Sequence, residues 1–284
     1  MLFKKEFLTA IEAALSFHDH YRLGNHFYIY KPEAEMLCAI SFDVMNGGSY
    51  FEILGGTTAL CEKIEFIPPE YDPYGKTGWL RVWCPSVWEY GCGQGLVAGD
   101  NTNLDEKGWP QRYTKAKFMT QLQKNIALLE RLIGEWGAVK DVNDYYAFAA
   151  KQSRIISGCG LFPPVPSPSA DSFFLSIRVG KMREAGVIYV DLLRKNYEQV
   201  EAIDAYLPAQ PVQEAIERIS YLDFPLTMRG ASDRRDEETK IIEKLLTEHQ
   251  DELLKEAMKR VENGRKACEN FLRGCEMLPA QGKP

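Results

Sequence analysis

A chain of 284 residues with 45% hydrophobic and 26% charged side chains can bury a sizeable core and stands at the upper edge of what one domain holds. No run approaches the roughly 18 apolar residues that a membrane-crossing helix needs, and the opening Met1-Leu2-Phe3-Lys4-Lys5-Glu6 leads into an amphipathic pattern rather than a signal-peptide core, so a cytoplasmic protein without a membrane partner is expected. The net charge of -6 is uneven: residues 1 to 110 carry 8 Lys/Arg against 15 Asp/Glu, a net of -7, which argues against nucleic acid unless a local patch overrides the average, and favours a basic protein partner.

Phe3, Phe7, Ile11, Ala14 and Leu15 recur at helical spacing and predict a helix over residues 3 to 17. After the Gly24-Asn25 turn signal, His26-Phe27-Tyr28-Ile29-Tyr30 reads as a strand that Pro32 ends. Met36 to Met45 reads as a second strand and Tyr50 to Leu54 as a third, and Asn46-Gly47-Gly48 between them predicts a hairpin. A long connection is expected over residues 55 to 75, with regular structure confined to Leu60 to Ile67.

Trp79-Leu80-Arg81-Val82-Trp83 alternates as a strand does, with Trp79 and Trp83 on one face and Arg81 between them. The glycine-rich stretch from Gly91 to Gly108 reads as a long loop, and loops of that length inside a compact domain are usually functional or mobile. From Thr114 the period changes to 3.6, with Phe118, Leu122, Ile126, Leu129 and Ile133 on one helix face, and a further helix is expected to run through Ile156. The prolines at 163, 164, 166 and 168 mark the expected domain boundary, separating a sheet domain of residues 1 to 156 from a helical region of residues 169 to 284. Within the latter, Ser169 to Met182, Ala185 to Tyr206, Val212 to Leu222 and Asp233 to Leu278 read as helices. The expected fold class is therefore α+β, an antiparallel sheet flanked by helices and followed by an all-helical C-terminal region.

Chemistry-bearing motifs are few. Two histidines at i and i+2, as in His18-Asp19-His20, share a face only in an extended segment, and this one sits at a helix exit, so it reads as solvated helix-end residues rather than a metal site. Gly75-Lys76-Thr77 lacks the upstream glycine and the following helix of a phosphate-binding loop. The seven cysteines, odd in number and without a CxxC, read as free thiols, and Cys92 between glycines is the most accessible of them, though no histidine lies near it in sequence. No catalytic residue, metal ligand or cofactor is singled out.

The most distinctive feature is aromatic. Trp79, Trp83 and Trp88 fall within ten residues, beside Tyr71, Tyr74 and Tyr90, with Trp109 a little later. Such a density makes either a stacking or docking surface or a sheet core, and solvent exposure decides between them. The candidate binding residues are Tyr74, Trp79, Arg81, Trp83, Trp88 and Tyr90.

Phe3, Phe7 and Leu15, then Gly24-Asn25-His26-Phe27-Tyr28, Ile40-Ser41-Phe42 and Phe51-Glu52-Ile53-Leu54-Gly55 give the first half a pattern that resembles a bacterial family of unknown function built from an N-terminal helix and an antiparallel sheet. The resemblance implies no catalytic residues and a likeness to toxin-neutralising immunity proteins. The functional expectation is a non-catalytic protein that binds a basic partner through its acidic first half and, in the immunity-like form, neutralises it. The rival is a small-ligand binder or enzyme with Cys92, Asp100, Arg81 and Tyr90 around the aromatic strand and the glycine-rich loop. A third reading makes the long helix from Asp233 an assembly surface.

Overall fold

The computed structural model of the chain describes residues 3–62, 64–67, 79–81, 102–157, 169–195, 197–220 and 228–281. The chain is an α+β protein of two compact units, one comprising Met1–Leu60, Ile64–Val142 and Gly264–Pro284, the other Cys61–Lys63 and Asn143–Asn263. No helix among the described residues is long and apolar enough to cross a membrane.

The first unit opens with α1 (Lys4–Leu15), which buries Phe7, Ile11 and Leu15 at the spacing its sequence dictates. Four strands follow: β1 (His20–Leu23), β2 (His26–Lys31), β3 (Met36–Met45) and β4 (Tyr50–Ala59). The β3–β4 hairpin pairs Met45 with Tyr50 and runs to Met36 opposite Ala59. Its turn holds Gly47 and Gly48 at φ 65° and 91°, the left-handed region that residues with a Cβ avoid.

β4 continues five residues beyond its expected end at Leu54. Met36 to Ile40 offer a full ladder, so backbone pairing carries the strand through Gly55 and Gly56, which alone would read as a break. Short strands β5 (Glu65–Ile67) and β6 (Trp79–Arg81) form a separate antiparallel pair.

The helix expected from Thr114 is α2 (Lys115–Ala138), started by the Thr114 hydroxyl, which accepts from the Lys117 backbone N–H at 3.3 Å. On one face of the sheet α1 and α2 enclose an aromatic cluster. Phe7 stacks on Phe42 with centroids 3.7 Å apart, Phe3 on Phe118 at 4.5 Å, and Phe118 meets Phe51 edge-on at 5.0 Å. Neighbouring residues of a strand point to opposite faces, so Tyr28 turns away from that cluster and meets Phe271 edge-on at 5.3 Å.

The second unit is built of helices: α3 (Val142–Ser157), α4 (Ala170–Arg178), α5 (Met182–Lys195), α6 (Tyr197–Asp204), α7 (Ala209–Ser220) and α8 (Met228–Glu248), with the greater part of α9 (Gln250–Leu272). Ser169 and Ser172 form a reciprocal capping box at the start of α4. Phe173, Phe174, Ile188, Tyr189, Ile203 and Leu246 centre its core. Gly186 lets α5 approach α8, since a Cβ there would lie 3.3 Å from the Thr239 carbonyl oxygen.

The single helix expected over Asp233 to Leu278 is instead two helices and a strand. The break falls at His249, and after Leu272 the Gly274-Cys275 turn leads into β7 (Glu276–Leu278). β7 pairs antiparallel with β1, completing the order β4-β3-β2-β1-β7, with Tyr21 opposite Met277. Only four residues long, β1 was not expected from the sequence at all. Hairpin pairing with β2 on one side and β7 on the other supplies the backbone partners that its sequence pattern does not announce.

Candidate functional site

Between the start of β4 and the start of α2 the chain makes a turn tied down at every step. Asn103, 7% exposed, is its hub. The Asn103 backbone N–H donates to the Ser49 carbonyl at 2.7 Å, and its carbonyl accepts from the Gln111 N–H at 2.7 Å. Its side-chain amide donates to the carbonyls of Gln111 and Arg112 at 2.9 and 3.1 Å. Each of these bonds satisfies a polar group that would otherwise be costly to bury.

Asp105 shapes the tip. One carboxylate oxygen accepts from the backbone N–H groups of Lys107 and Trp109 at 2.8 and 2.9 Å. The Asp105 carbonyl accepts from the Gly108 N–H at 3.0 Å, the closing bond of a four-residue turn, and Gly108 sits at φ 81°. Bridges join Leu104 to Pro110 and Tyr50 to Thr102. Beyond the tip, Tyr113 donates its backbone N–H to the Gly48 carbonyl at 2.8 Å and sets its ring against Phe51 and Phe118 at 5.7 and 6.0 Å. The turn is thereby fastened at both ends to the β3–β4 hairpin.

This fastened turn exposes what proteins normally bury. Trp109 is 69% exposed and Leu104 beside it 42%, whereas Trp136 on α2 is 1% exposed in the core. The indole is thus held in water on a turn whose backbone groups make seven internal hydrogen bonds.

Of the six residues expected to bind, Trp79 and Arg81 contribute backbone to β6, opposite Ile67 and Glu65; their side chains, and Tyr74, Trp83, Trp88 and Tyr90 entirely, lie outside the described residues. Cys92 and Asp100 lie outside them too. Trp109 stood in the sequence only as a late member of the aromatic run. Its signal was legible in Asp105-x-x-Gly108-Trp109-Pro110, where Asp opens a turn and Gly closes it, leaving the next side chain at the tip.

Several other reactive groups among the described residues are held in structural contacts. Burial pushes the Cys268 thiol up to about 12 and the Cys275 thiol up to about 11, away from the thiolate a nucleophile requires. His18, Asp19 and His20 diverge. The His18 ring lies against Gly137, where a Cβ would come within 3.1 Å of it; Asp19 accepts from the Ala280 N–H at 2.8 Å; His20, expected to be solvated, is buried at 3% exposure, with Nδ1 2.8 Å from the His18 carbonyl. The correction for His20 follows from β1, which carries it into the sheet.

No protein-family model, no curated protein and no solved structure matches this chain, so the chemistry of the turn carries the functional reading.

Proposed function

We propose that this chain is a protein-binding protein whose partner docks on the Trp109 turn. The observation that carries the reading is the 69% exposure of Trp109 at the tip of a turn whose backbone is fixed by Asp105 and Asn103. Tryptophan is the residue type most enriched where protein interfaces concentrate their binding energy, and a rigid support reduces the ordering cost of using it. Leu104 and Pro110, paired across the base of the turn and both exposed, widen the apolar contact.

Site-directed photo-crosslinking in cells that express the full chain tests this. A photoreactive side chain replaces Leu104 or Trp109, and Met258, exposed at 55% on α9, serves as the matched apolar control. The expected result is one discrete protein adduct shared by positions 104 and 109 and absent from 258, which then binds the wild-type chain when both are purified. Identical adducts at all three positions, or an adduct that does not bind as a purified protein, would refute the proposal.

A further inference from the structure

The average charge of residues 1 to 110 is negative, yet the surface around Trp109 has the opposite sign. From Lys107 to Leu129 the chain carries five cations, Lys107, Arg112, Lys115, Lys117 and Lys124, and no Asp or Glu. The fold adds two more. The Phe3–Phe118 stack and the Lys115–Glu6 ion pair at 2.8 Å set the start of α1, with Lys4 and Lys5, beside the start of α2. Among the described anions here, Glu6 is paired with Lys115, whose hydrogen bond holds the Glu6 carboxyl below its usual range, and Asp105 keeps its charge while its carboxylate is turned to the backbone N–H groups of the turn. That leaves Asp105 and Glu106 against Lys4, Lys5, Lys107, Arg112, Lys117 and Lys124.

The lysines stand where helix electrostatics disfavours them. The first and third positions of α2 are Lys115 and Lys117, at the end of the helix whose own dipole is already positive, and no acidic residue occupies that first turn. Glutamate at the third position would complete a capping box with Thr114. A sequence that forgoes a stabilising residue beside an exposed tryptophan places its departure from local rules at a functional surface.

We infer that the partner's contact segment is acidic, with an apolar side chain seated on Trp109 and Leu104 and carboxylates facing Lys107, Arg112 and Lys117. The inference rests on the docking reading above and names the chemistry of what docks. An acidic protein segment fits better than a polynucleotide. The chain's net charge of -6 repels a long polyanion, and Trp109 is the one well-exposed ring of the described patch, whereas single-stranded nucleic acid is held by successive stacking rings.

The test is selection from a random-peptide display library on the full wild-type chain, with Trp109→Ala as counter-selection, followed by titration of the winning peptides. Trp109-dependent peptides with net negative charge are expected. Their affinity should fall at least about tenfold with Arg112→Glu/Lys117→Glu and weaken steadily with added salt, as charge-steered complexes do. Lys117 also donates to the Asn103 side-chain oxygen at 3.3 Å, so the single change that separates lost recognition from lost folding is Arg112→Glu, which should weaken binding without lowering the melting temperature. Trp109-dependent peptides that are neutral or basic overturn this inference and leave the docking reading standing. A library that yields no Trp109-dependent peptide overturns both. A single-stranded oligonucleotide that binds more tightly than the selected peptides overturns the choice of an acidic protein segment.

Discussion

The two units differ in how they treat apolar side chains. The sheet unit gathers its core from distant parts of the chain, with β7 returning to pair with β1, and it leaves Phe17, Leu104, Trp109 and Met277 in solvent. The helical unit builds its core from consecutive helices and, among its described residues, exposes one large apolar side chain, Met258. Its polar groups turn to one another as well: the Tyr189 hydroxyl donates to Asp204 at 2.6 Å, and the Arg260 guanidinium lies 3.9 Å above the Phe174 ring while facing Asp171 at 3.7 Å. On the proposed reading recognition belongs to the sheet unit, which holds Leu104 and Trp109 outward on a hydrogen-bonded turn.

The largest expected effects come from cutting each core. Phe118→Ala removes the ring that joins Phe3, Phe42, Phe51 and Tyr113, and should destabilise the sheet unit by about 3–5 kcal/mol. All five tryptophans fall between residues 79 and 136, so fluorescence-detected unfolding reports that unit. Phe174→Ala should instead shift the circular-dichroism transition, to which the second unit contributes most of the helix, more than the fluorescence transition. If either variant moves both signals equally, the two regions unfold as one and the comparison loses its energetic meaning.

Gly264 tests the closure of the sheet unit by its C-terminal segment. A Cβ at that position would run into the Leu60 carbonyl. Gly264→Ala should destabilise by about 1–3 kcal/mol, as overpacking does, and denaturant titration measures it. No loss would mean that α9 does not approach Leu60 so closely.

Lys31 tests the support of α2, whose other end carries the Trp109 turn. Its ammonium donates to the carbonyls of Trp136 and Gly137 at 2.8 and 3.3 Å and to that of Val139, at the negative end of the helix. Lys31→Met should cost about 1–2 kcal/mol in denaturant titration.

The smallest effect is a pH dependence at the same helix end. Burial, then the nearby Lys31 charge and His20, hold His18 below the usual histidine value of about 6.5. The unfolded chain therefore takes up the proton more readily. The contribution of neutral His18 is complete above about pH 6.5 and is lost as the pH falls through the lower folded value. Melting curves across that window should show His18→Gln with a flatter acid limb than the wild type.

Much of the fold was legible because its signals are local. Phe7, Ile11 and Leu15 announce α1, Asn46-Gly47-Gly48 announces the hairpin, and Phe118 to Ile133 announces α2. What escaped depends on distant partners: β1 has four residues and no pattern of its own, and β7 looked like the tail of a helix until β1 offered its edge. The same reason governs the site. Average charge hid the cationic stripe because the fold joins Lys4 and Lys5 to Lys115 and Lys117, and Trp109 seemed one aromatic among many because only its surroundings decide whether a tryptophan is core or anchor.

The most direct measurement is the dissociation constant of the purified crosslinked partner for the wild-type chain and for Trp109→Ala, at matched thermal stability. Removal of the indole should raise Kd at least about 30-fold, the scale of an interface hot spot. Constants that agree within about twofold, below any hot-spot contribution, would contradict the assignment of Trp109 as the docking point.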